Sequence, residues 1–457
     1  ARPAAAGAVA VLIALFAAAP AAAQGAPAAG DAPLSLETCR ALAASRNAEV
    51  RQAEEELRAA EQTRAAARTA WFPQVSAEAG AMSARSPLVG LEIPGGNLPV
   101  IDPATGTPTG QFAYLPGSAL QAAEDANLIA ATAVQPVFAG GRILNGNRLA
   151  AAGVRAAEEQ AALARRDAAA VAEEKYWQVV ALAEKDRTLR AYQDLLAALE
   201  RQAGDAVAAG LSTRNDLLKV ALERQKADVD RLRLDSGRRL AARDLRRHLG
   251  LPDGDAVALA DAAPPAPAEP AALRDAERGA AGRRRELRLL ETAAEAERLR
   301  ARLALGEALP TVSVGAQVLR YDVSGLGTSD EALVFATVSV PLTGAWKGAH
   351  ETAAARARER AARVRLEETR RLVALDVSRA WDELDAAWRS AQVAELGVEQ
   401  ATVNLGEQKD GHASGLVTLS DVLEAEVLAH EASTRRIDAR IAFALKRSAY
   451  LRATGEE

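Results

Sequence analysis

Two short stretches of this 457-residue chain place carboxylates directly after a glycine turn. They read GLSTRNDLLK over residues 210–219 and GLVTLSDVLE over residues 415–424, and they begin 205 positions apart. Thr418 and Asp421 have the spacing of a capping box, in which hydroxyl and acid satisfy free N–H groups of the first helical turn. The helix macrodipole also favours a carboxylate there. Thr213 and Asp216 repeat the pattern, so each stretch is predicted to be a turn followed by a capped helix.

No set of side chains in the sequence is suited to catalysis or to metal binding. The four histidines are scattered without a second ligand at metal spacing; they are His248, His350, His412 and His430. The single cysteine, Cys39, cannot form an internal disulfide. The sequence shows neither a nucleophile–base pair nor a phosphate-binding loop. We therefore expect a protein that is not an enzyme and that uses no cofactor and no metal.

The N-terminal residues predict export from the cytoplasm. Arg2 precedes an apolar run at residues 9–16 and a small-residue site at residues 21–23, which together are typical of a signal peptide over residues 1–23. The apolar run is shorter than the ~20 residues that a spanning helix needs. Residues 24–33 are predicted to be a flexible lead-in.

The mild net charge of −5, with both signs mixed along the helices, argues against a nucleic-acid partner.

The remainder of the chain is an internal duplication with one unequal loop. Prolines, glycines and turn acids match at two offsets, 237 before the loop and 205 after it. The matched pairs include Pro73 with Pro310, Pro136 with Pro341, Gly210 with Gly415, and Asp216 with Asp421. We therefore predict a first structural repeat at residues 34–250, a proline-rich connector at 251–270 and a second repeat at 271–457. The extra 32 residues, 237 minus 205, lie in the first loop.

Each repeat is predicted to run helix, strand, loop, strand, long helix, turn, helix. In the first repeat a helix extends from about residue 34 to residue 70 and is stopped by Pro73. Alternation of period two then predicts a strand from residue 74, and a second strand covers residues 128–137. Residues 83–127 show no clear period and are predicted to be a long exposed loop. The long helix reaches residue 207, and the last helix covers about 214–249.

Two strands from each repeat give four strands with one apolar face. Four strands cannot close a membrane barrel, whose smallest members have eight, so other copies of the chain must complete the edges. Three chains would supply 12 strands. In the third strand one face is suited to lipid and the other to a lumen; the lipid set is Val312, Val314, Ala316 and Val318, and the lumen set is Ser313, Gly315 and Gln317.

Aromatic residues cluster where the strands meet the helices. They are Trp71, Phe72, Phe138 and Trp346. Tryptophan and phenylalanine at such positions fit a membrane-interface belt. Caps on a soluble sheet are the alternative interpretation.

With these features the chain resembles the TolC-type outer-membrane efflux family from about residue 34 to residue 455. The resemblance is carried by the LSLE opening at 34–37, the PVFAGGR strand exit at 136–142 and the duplicated glycine turn with DVLEA at 421–425. It implies a mainly α fold with a small transmembrane β part. In the family, a trimeric 12-stranded β-barrel in the outer membrane continues into a long periplasmic α-helical barrel. It also implies coupling to an inner-membrane pump through a periplasmic adaptor, or membrane fusion, protein.

The resemblance assigns a gate to the second turn. Asp421 and Glu424 match the acids that line the periplasmic constriction of the family. Three chains would bring six carboxylates near one axis, where they favour the entry of cations. For Asp421 helix capping is an equally strong interpretation, and the two roles are compatible.

The resemblance also assigns adaptor contacts to both turns. The matching residues are Gly210, Leu211, Ser212, Thr213, Gly415, Leu416, Val417 and Thr418. An ordinary glycine C-cap is the alternative. Val417 stands where some gated relatives have a basic residue, so a salt-bridge lock at that position is not expected. Arg214, Asn215 or Lys219 of the first turn is a candidate to pair with acids instead.

Together with these features, the resemblance implies an outer-membrane exit duct of a tripartite efflux or type I secretion system. Such a duct conducts passively, with energy supplied by the pump. The alternative is a periplasmic coiled-coil adaptor or structural spacer without a membrane barrel. That alternative shares the signal peptide and the long helices but does not predict two strand hairpins with an apolar face.

Overall fold

The computed structural model describes residues 33–85, 89–101, 108–122, 125–210, 212–261, 263–264, 266–277, 280–324, 327–342 and 344–456. The predicted signal peptide at residues 1–23 and residues 24–32 of the lead-in lie outside these ranges.

Most of the chain is helical, and two pairs of very long helices dominate it. The helices are α1 (Leu36–Arg46), α2 (Ala48–Thr69), α3 (Arg142–Ala208), α4 (Arg214–His248), α5 (Ala280–Arg283), α6 (Arg285–Glu307), α7 (Gly344–Ala413) and α8 (Leu419–Thr454), with a 3₁₀ helix at Pro270–Glu277. α3 packs against α4 and α7 against α8. The 67 residues of α3 span roughly 100 Å. The predicted mainly α fold with a small β part is confirmed.

The N-terminal helix is divided, which the sequence did not predict. The structure has α1 and α2 where one helix was expected, with the break at Asn47. Asn47 Oδ1 accepts from the Glu49 amide at 2.8 Å, and its Nδ2 donates to the His248 carbonyl at 3.1 Å. The asparagine therefore caps α2 and ties it to the end of α4. The second repeat breaks at Arg284, the position 237 residues later, between α5 and α6.

Four strands form one antiparallel sheet in the order β1-β6-β7-β8. They are β1 (Gln74–Ser83), β6 (Asp125–Ala139), β7 (Thr311–Val323) and β8 (Gly327–Ser339). The two repeats meet between β6 and β7, so each repeat contributes one hairpin. The outer strands, β1 and β8, have no partner on their second side among the described residues.

The register places small and branched apolar residues on one face of this sheet across all four strands. This face carries Val75, Ala77 and Ala79 of β1, Ile129, Ala131 and Ala133 of β6, Val314, Ala316 and Val318 of β7, and Val334, Ala336 and Val338 of β8. On the opposite face Gln317 Nε2 donates to Thr132 Oγ1 at 2.9 Å. There Phe335 lies so close over Gly315 that a Cβ would meet its ring at 2.4 Å. The apolar face predicted for Val314, Ala316 and Val318 of β7 therefore extends across all four strands; towards the β7–β8 turn the same face carries the ion pair of Arg320 and Asp330.

The long loop predicted at residues 83–127 contains regular structure, so that prediction was wrong. β2 (Val89–Ile93) pairs with β5 (Ser118–Ala122), and β3 (Gly96–Ile101) pairs with β4 (Pro108–Leu115). These nested pairs continue the β1–β6 hairpin as a two-stranded ribbon. Phe112 and Tyr114 of β4 are 66% and 71% exposed. Neither face of this ribbon is buried, so its residues need not alternate between apolar and polar. For that reason residues 83–127 lack the period-two pattern that would have predicted strands.

Three buried clusters fix the helices along their length. The first lies where α1 packs on α3 and includes Tyr176, Trp177 and Leu245. The second lies at the turn end of the long helices and includes Leu196, Val220 and Leu423, and the third joins α7 to the end of α8 through Leu384 and Tyr450. None of the helices in the described part of the chain has the length and apolarity to cross a membrane.

A buried glutamate ties the N-terminal helix to both repeats. Glu173 of α3 is only 4% exposed. Its Oε2 accepts from Arg40 Nη2 of α1 at 2.7 Å and from Ser448 Oγ of α8 at 2.5 Å. A charge removed from water needs such partners to be tolerated.

We expect Glu173→Ala to loosen α1, because it removes charge-assisted hydrogen bonds worth about 1.5–3 kcal/mol each. Hydrogen exchange in the amides of α1 should accelerate by more than tenfold. Glu174→Ala, at the exposed neighbouring position, serves as the control and should leave α1 unchanged. Equal protection of α1 in both variants would show that Glu173 is not a structural tie.

Candidate functional site

Each long helix pair is closed by a turn built on a glycine in the left-handed region. Gly210 has φ +76° and Gly415 has φ +74°. This conformation destabilises a residue that has a Cβ by about 1–2 kcal/mol, which explains why glycine occupies both positions. α3 ends at Ala208 and α7 ends at Ala413, each a few residues before the next helix begins. Since α3 follows directly after β6, the turns lie roughly 100 Å from the sheet.

Both turns are followed by complete capping boxes, as the spacing predicted. In the second turn the Thr418 hydroxyl donates to Asp421 Oδ2 at 2.6 Å, and the Thr418 amide donates to the same oxygen at 3.0 Å. These hydrogen bonds hold the pKa of Asp421 below its ordinary value. The Thr213 hydroxyl does the same for the pKa of Asp216. Both carboxylates are therefore ionised at neutral pH while they cap their helices.

Glu424 differs from Asp421 in its surroundings. Its side chain is exposed one helical turn after the cap. Within the described residues it has no hydrogen-bond or ion-pair partner. Asp421 is also exposed, so the second turn presents two carboxylates to its surroundings. In the first turn the position that corresponds to Glu424 is Lys219, 205 residues earlier.

The structure brings the two turns together through Lys219. Its Nζ donates to Ser420 Oγ at 3.1 Å, one residue before Asp421. The charge of Lys219 also lowers the pKa of Asp421 and that of Asp216, after the larger effect of the threonine hydrogen bonds. Lys219 was one of the three first-turn residues predicted as candidates to pair with acids. Its hydrogen-bond partner Ser420 was not predicted, because nothing in the sequence marks this serine as a partner.

The second turn has its own internal support. His412 Nδ1 lies 3.0 Å from the Val417 carbonyl oxygen, and the Leu416 amide donates to the Gly411 carbonyl at 2.9 Å. Val417 packs so closely on Gly411 that a Cβ there would lie 2.6 Å from Val417 Cγ2. Val417 therefore packs within the turn.

The residues assigned to adaptor contact are largely exposed. Gly210, Thr213, Gly415 and Thr418 lie on the surface, and Leu416 is 84% exposed. Ser212 and Val417 are half-buried, and Ser212 Oγ donates to Asp216 Oδ2 at 3.3 Å. Leu211 lies outside the described residues. The exposed side chain of Leu416 is thus accessible at the end of the helix pair.

One ion pair near the second turn was not predicted. Glu426 is 5% exposed, and its Oε1 lies 2.6 Å from Lys409 Nζ of α7. Glu and Lys are frequent on the exposed faces of these helices, so neither residue stood out.

In the described part of the chain no three His, Cys, Asp or Glu side chains are grouped to hold a metal ion.

Solved structures of outer-membrane proteins share this fold. The structure resembles the outer membrane protein VceC of Vibrio cholerae, with a TM-score of 0.70 and 17% identity over 92% of this chain and 96% of that chain. It resembles the Campylobacter jejuni CmeC outer membrane channel with a TM-score of 0.71 and 13% identity over 92% and 85%. For the Neisseria gonorrhoeae MtrE outer membrane channel in its open state, the TM-score is 0.70 and the identity 14% over 92% and 88%.

The sequence itself also matches a known family over part of its length. Residues 40–251, most of the first repeat, match the family described as Outer membrane efflux protein. No curated protein sequence matches the chain. The resemblance predicted from the sequence is confirmed, and so is the location in the outer membrane with an extension into the periplasm.

Proposed function

We propose that this protein is the exit duct of a tripartite efflux or type I secretion system. In this role it conducts substrates passively, without catalysis, from an inner-membrane pump and a periplasmic adaptor to the outside. The observation that carries the proposal is the four-stranded sheet with one apolar face, set at the far end of the long helix pairs from the exposed turns. The apolar face suits outer-membrane lipid, and the turns suit a partner in the periplasm.

The duct is proposed to be a homotrimer with a 12-stranded β-barrel and a periplasmic α-helical barrel. The outer strands β1 and β8 each offer a free edge, and three copies would pair β1 with β8 of the next. Two helices support the same arrangement with exposed apolar residues at heptad-like spacing. α4 carries one stripe, Leu218, Leu222, Val229 and Leu232. α7 carries two shorter ones, Leu372 with Leu375 and Val393 with Leu396 and Val403. Stripes of this kind are typical of helices that pack against a neighbour.

Fractionation and bilayer recording together test the duct. The protein should be recovered with the outer membrane as a trimer, and the purified trimer should form conducting channels in a planar bilayer. Recovery as a soluble periplasmic monomer would instead support an adaptor or spacer.

We propose that Asp421 and Glu424 form the periplasmic gate of this duct. Replacing both by alanine should raise the conductance of the trimer, because six shortened side chains widen the constriction. Asp421→Asn with Glu424→Gln keeps the size and the hydrogen-bond acceptor of the cap but removes the charge. We expect this variant to lose the preference for cations, which rings of carboxylates produce.

The first turn supplies the control for the gate. Asp216→Asn changes an equivalent cap but has no second acid beside it, and it should leave conductance and ion preference unaltered. If the Asp421 and Glu424 variants conduct like the unmodified trimer with the same ion preference, capping is the only role of Asp421.

A further inference from the structure

A histidine joins the two repeats just above the turns. His430 of α8 stacks on Tyr192 of α3, with ring centroids 4.5 Å apart and an angle of 12° between the planes. The Tyr192 hydroxyl donates to Glu223 Oε1 of α4 at 3.2 Å. Burial, with Glu223 beside it, raises the pKa of Tyr192, so the phenol keeps its proton and remains the donor. One aromatic stack thus connects α8 with both helices of the first pair.

The surroundings of the His430 ring favour its neutral form. His430 is half-buried, and its Nδ1 is buried with no hydrogen-bond partner in the described part of the protein. It borders a cavity of about 400 Å³ between α3, α4 and α8. The charged and titratable groups around it are Tyr192 of α3, Glu223, Lys226 and Asp230 of α4, and Glu426, Glu431 and Arg435 of α8.

Burial of the ring dominates the electrostatics of this site. It lowers the pKa of His430, and the nearby carboxylates of Glu431, Asp230 and Glu223 offset this only in part. Lys226 acts in the same direction as burial. A proton on the ring would place a charge and a second N–H donor where the structure offers Nδ1 no acceptor.

The same segment of α8 carries the second turn. Leu419 and Leu423 at the start of α8 are buried with Leu196 and Leu199 of α3, and Ser420 accepts from Lys219 of α4. Val427 and then His430 continue the contacts of α8 along this seam. For the second turn to move away from the first, residues 419–430 of α8 must separate from α3 and α4.

We propose that His430 is a positioning residue that makes the periplasmic gate respond to pH: neutral, it holds α8 against the first helix pair, and protonated, it releases the second turn. This inference rests on the duct function proposed above and adds a regulation to it. The proton is taken from bulk solvent on the periplasmic side and returned there on closure.

The direction of the effect follows from linkage. In the closed arrangement the pKa of His430 is lowered, whereas in an open arrangement the ring reaches water and its pKa returns to about 6.5. The open state therefore binds the proton more tightly, and opening becomes more favourable as the pH falls through 6.5. Above that pH both states hold a neutral ring, and the closed state is fully stabilised.

Channel recordings at pH 7.5 and pH 5.5 test this inference, with His430→Phe as the main variant. Phenylalanine keeps a ring to stack on Tyr192 but cannot titrate. We expect the wild-type trimer to open more often at pH 5.5 and His430→Phe to lose this response while conducting normally at pH 7.5. His430→Gln provides a second non-titrating variant should the larger ring hinder assembly. His350→Gln, at an exposed histidine of α7, should keep the response.

A second measurement separates failure of the inference from failure of the duct function. Spin labels at Arg214→Cys and Ser414→Cys, both on the surface next to the turns, report the distance between the turns without any current. This distance should increase at pH 5.5 in the wild type but not in His430→Phe. Identical pH profiles in both proteins would overturn the role of His430. A wild-type trimer without channel activity would overturn the duct, and the label distances would still decide the role of His430.

Discussion

Val318→Arg is expected to prevent the protein from assembling in the outer membrane. Val318 lies within β7 on the apolar face of the sheet and is 57% exposed. An arginine on the lipid face of a strand costs about 2–4 kcal/mol at the bilayer midplane. A trimer would carry this cost three times. The measurement is the amount of trimer in the outer-membrane fraction, which should fall to background.

The adjacent residue on the other face provides a matched control. Gln317 Nε2 donates to Thr132 Oγ1 at 2.9 Å on the polar face. Gln317→Arg loses this one hydrogen bond, worth about 1 kcal/mol, but keeps its charge away from lipid. We therefore expect normal recovery. If both variants assemble, the apolar face does not contact lipid; if both fail, the strand is intolerant of bulk on either side.

The parts of this fold that were predicted correctly depend on local patterns. Thr418 and Asp421 form a capping box because three-residue spacing alone determines whether the two side chains reach each other's backbone. The apolar face of β7 was predicted because every second residue of the strand is apolar. The internal duplication predicts a hairpin of the same kind in the first repeat. The division at Asn47 was missed because a single asparagine interrupts a helical pattern only weakly, and its partner at His248 is 201 residues away.

The contacts between the turns could not be predicted, because they depend on how long helices wind around each other. Lys219 meets Ser420 across 201 residues of sequence, and a small change in the twist of α3 or α7 would carry them apart. The stacking of His430 on Tyr192 depends on the same winding of the long helices. Candidate residues such as Lys219 could be named from the sequence. Which partner such a residue contacts is decided by how the helices pack over roughly 100 Å.

Leu416→Ser is expected to abolish export while the trimer still assembles. The side chain is 84% exposed at the tip of the second helix pair, and its loss leaves the fold of the turn intact. Burial of an otherwise exposed leucine side chain against a partner contributes about 1.5–3 kcal/mol, and three chains would each lose that contribution. Export by cells that hold the matching pump and adaptor is the measurement, together with capture of the adaptor by the purified trimer.

Gly415→Leu tests the proposed adaptor contact of the second turn by a different physical route. Leucine adds bulk at the tip and must adopt φ +74°, at about 1–2 kcal/mol of local strain. Gly406→Leu is the control, because Gly406 lies on the exposed face of α7 with open space around it. We expect export to fail in Gly415→Leu and to continue in Gly406→Leu. Intact export in both tip variants would remove the docking role. Lost export with normal capture of the adaptor would show that the second turn acts after docking, in opening the gate beside Asp421.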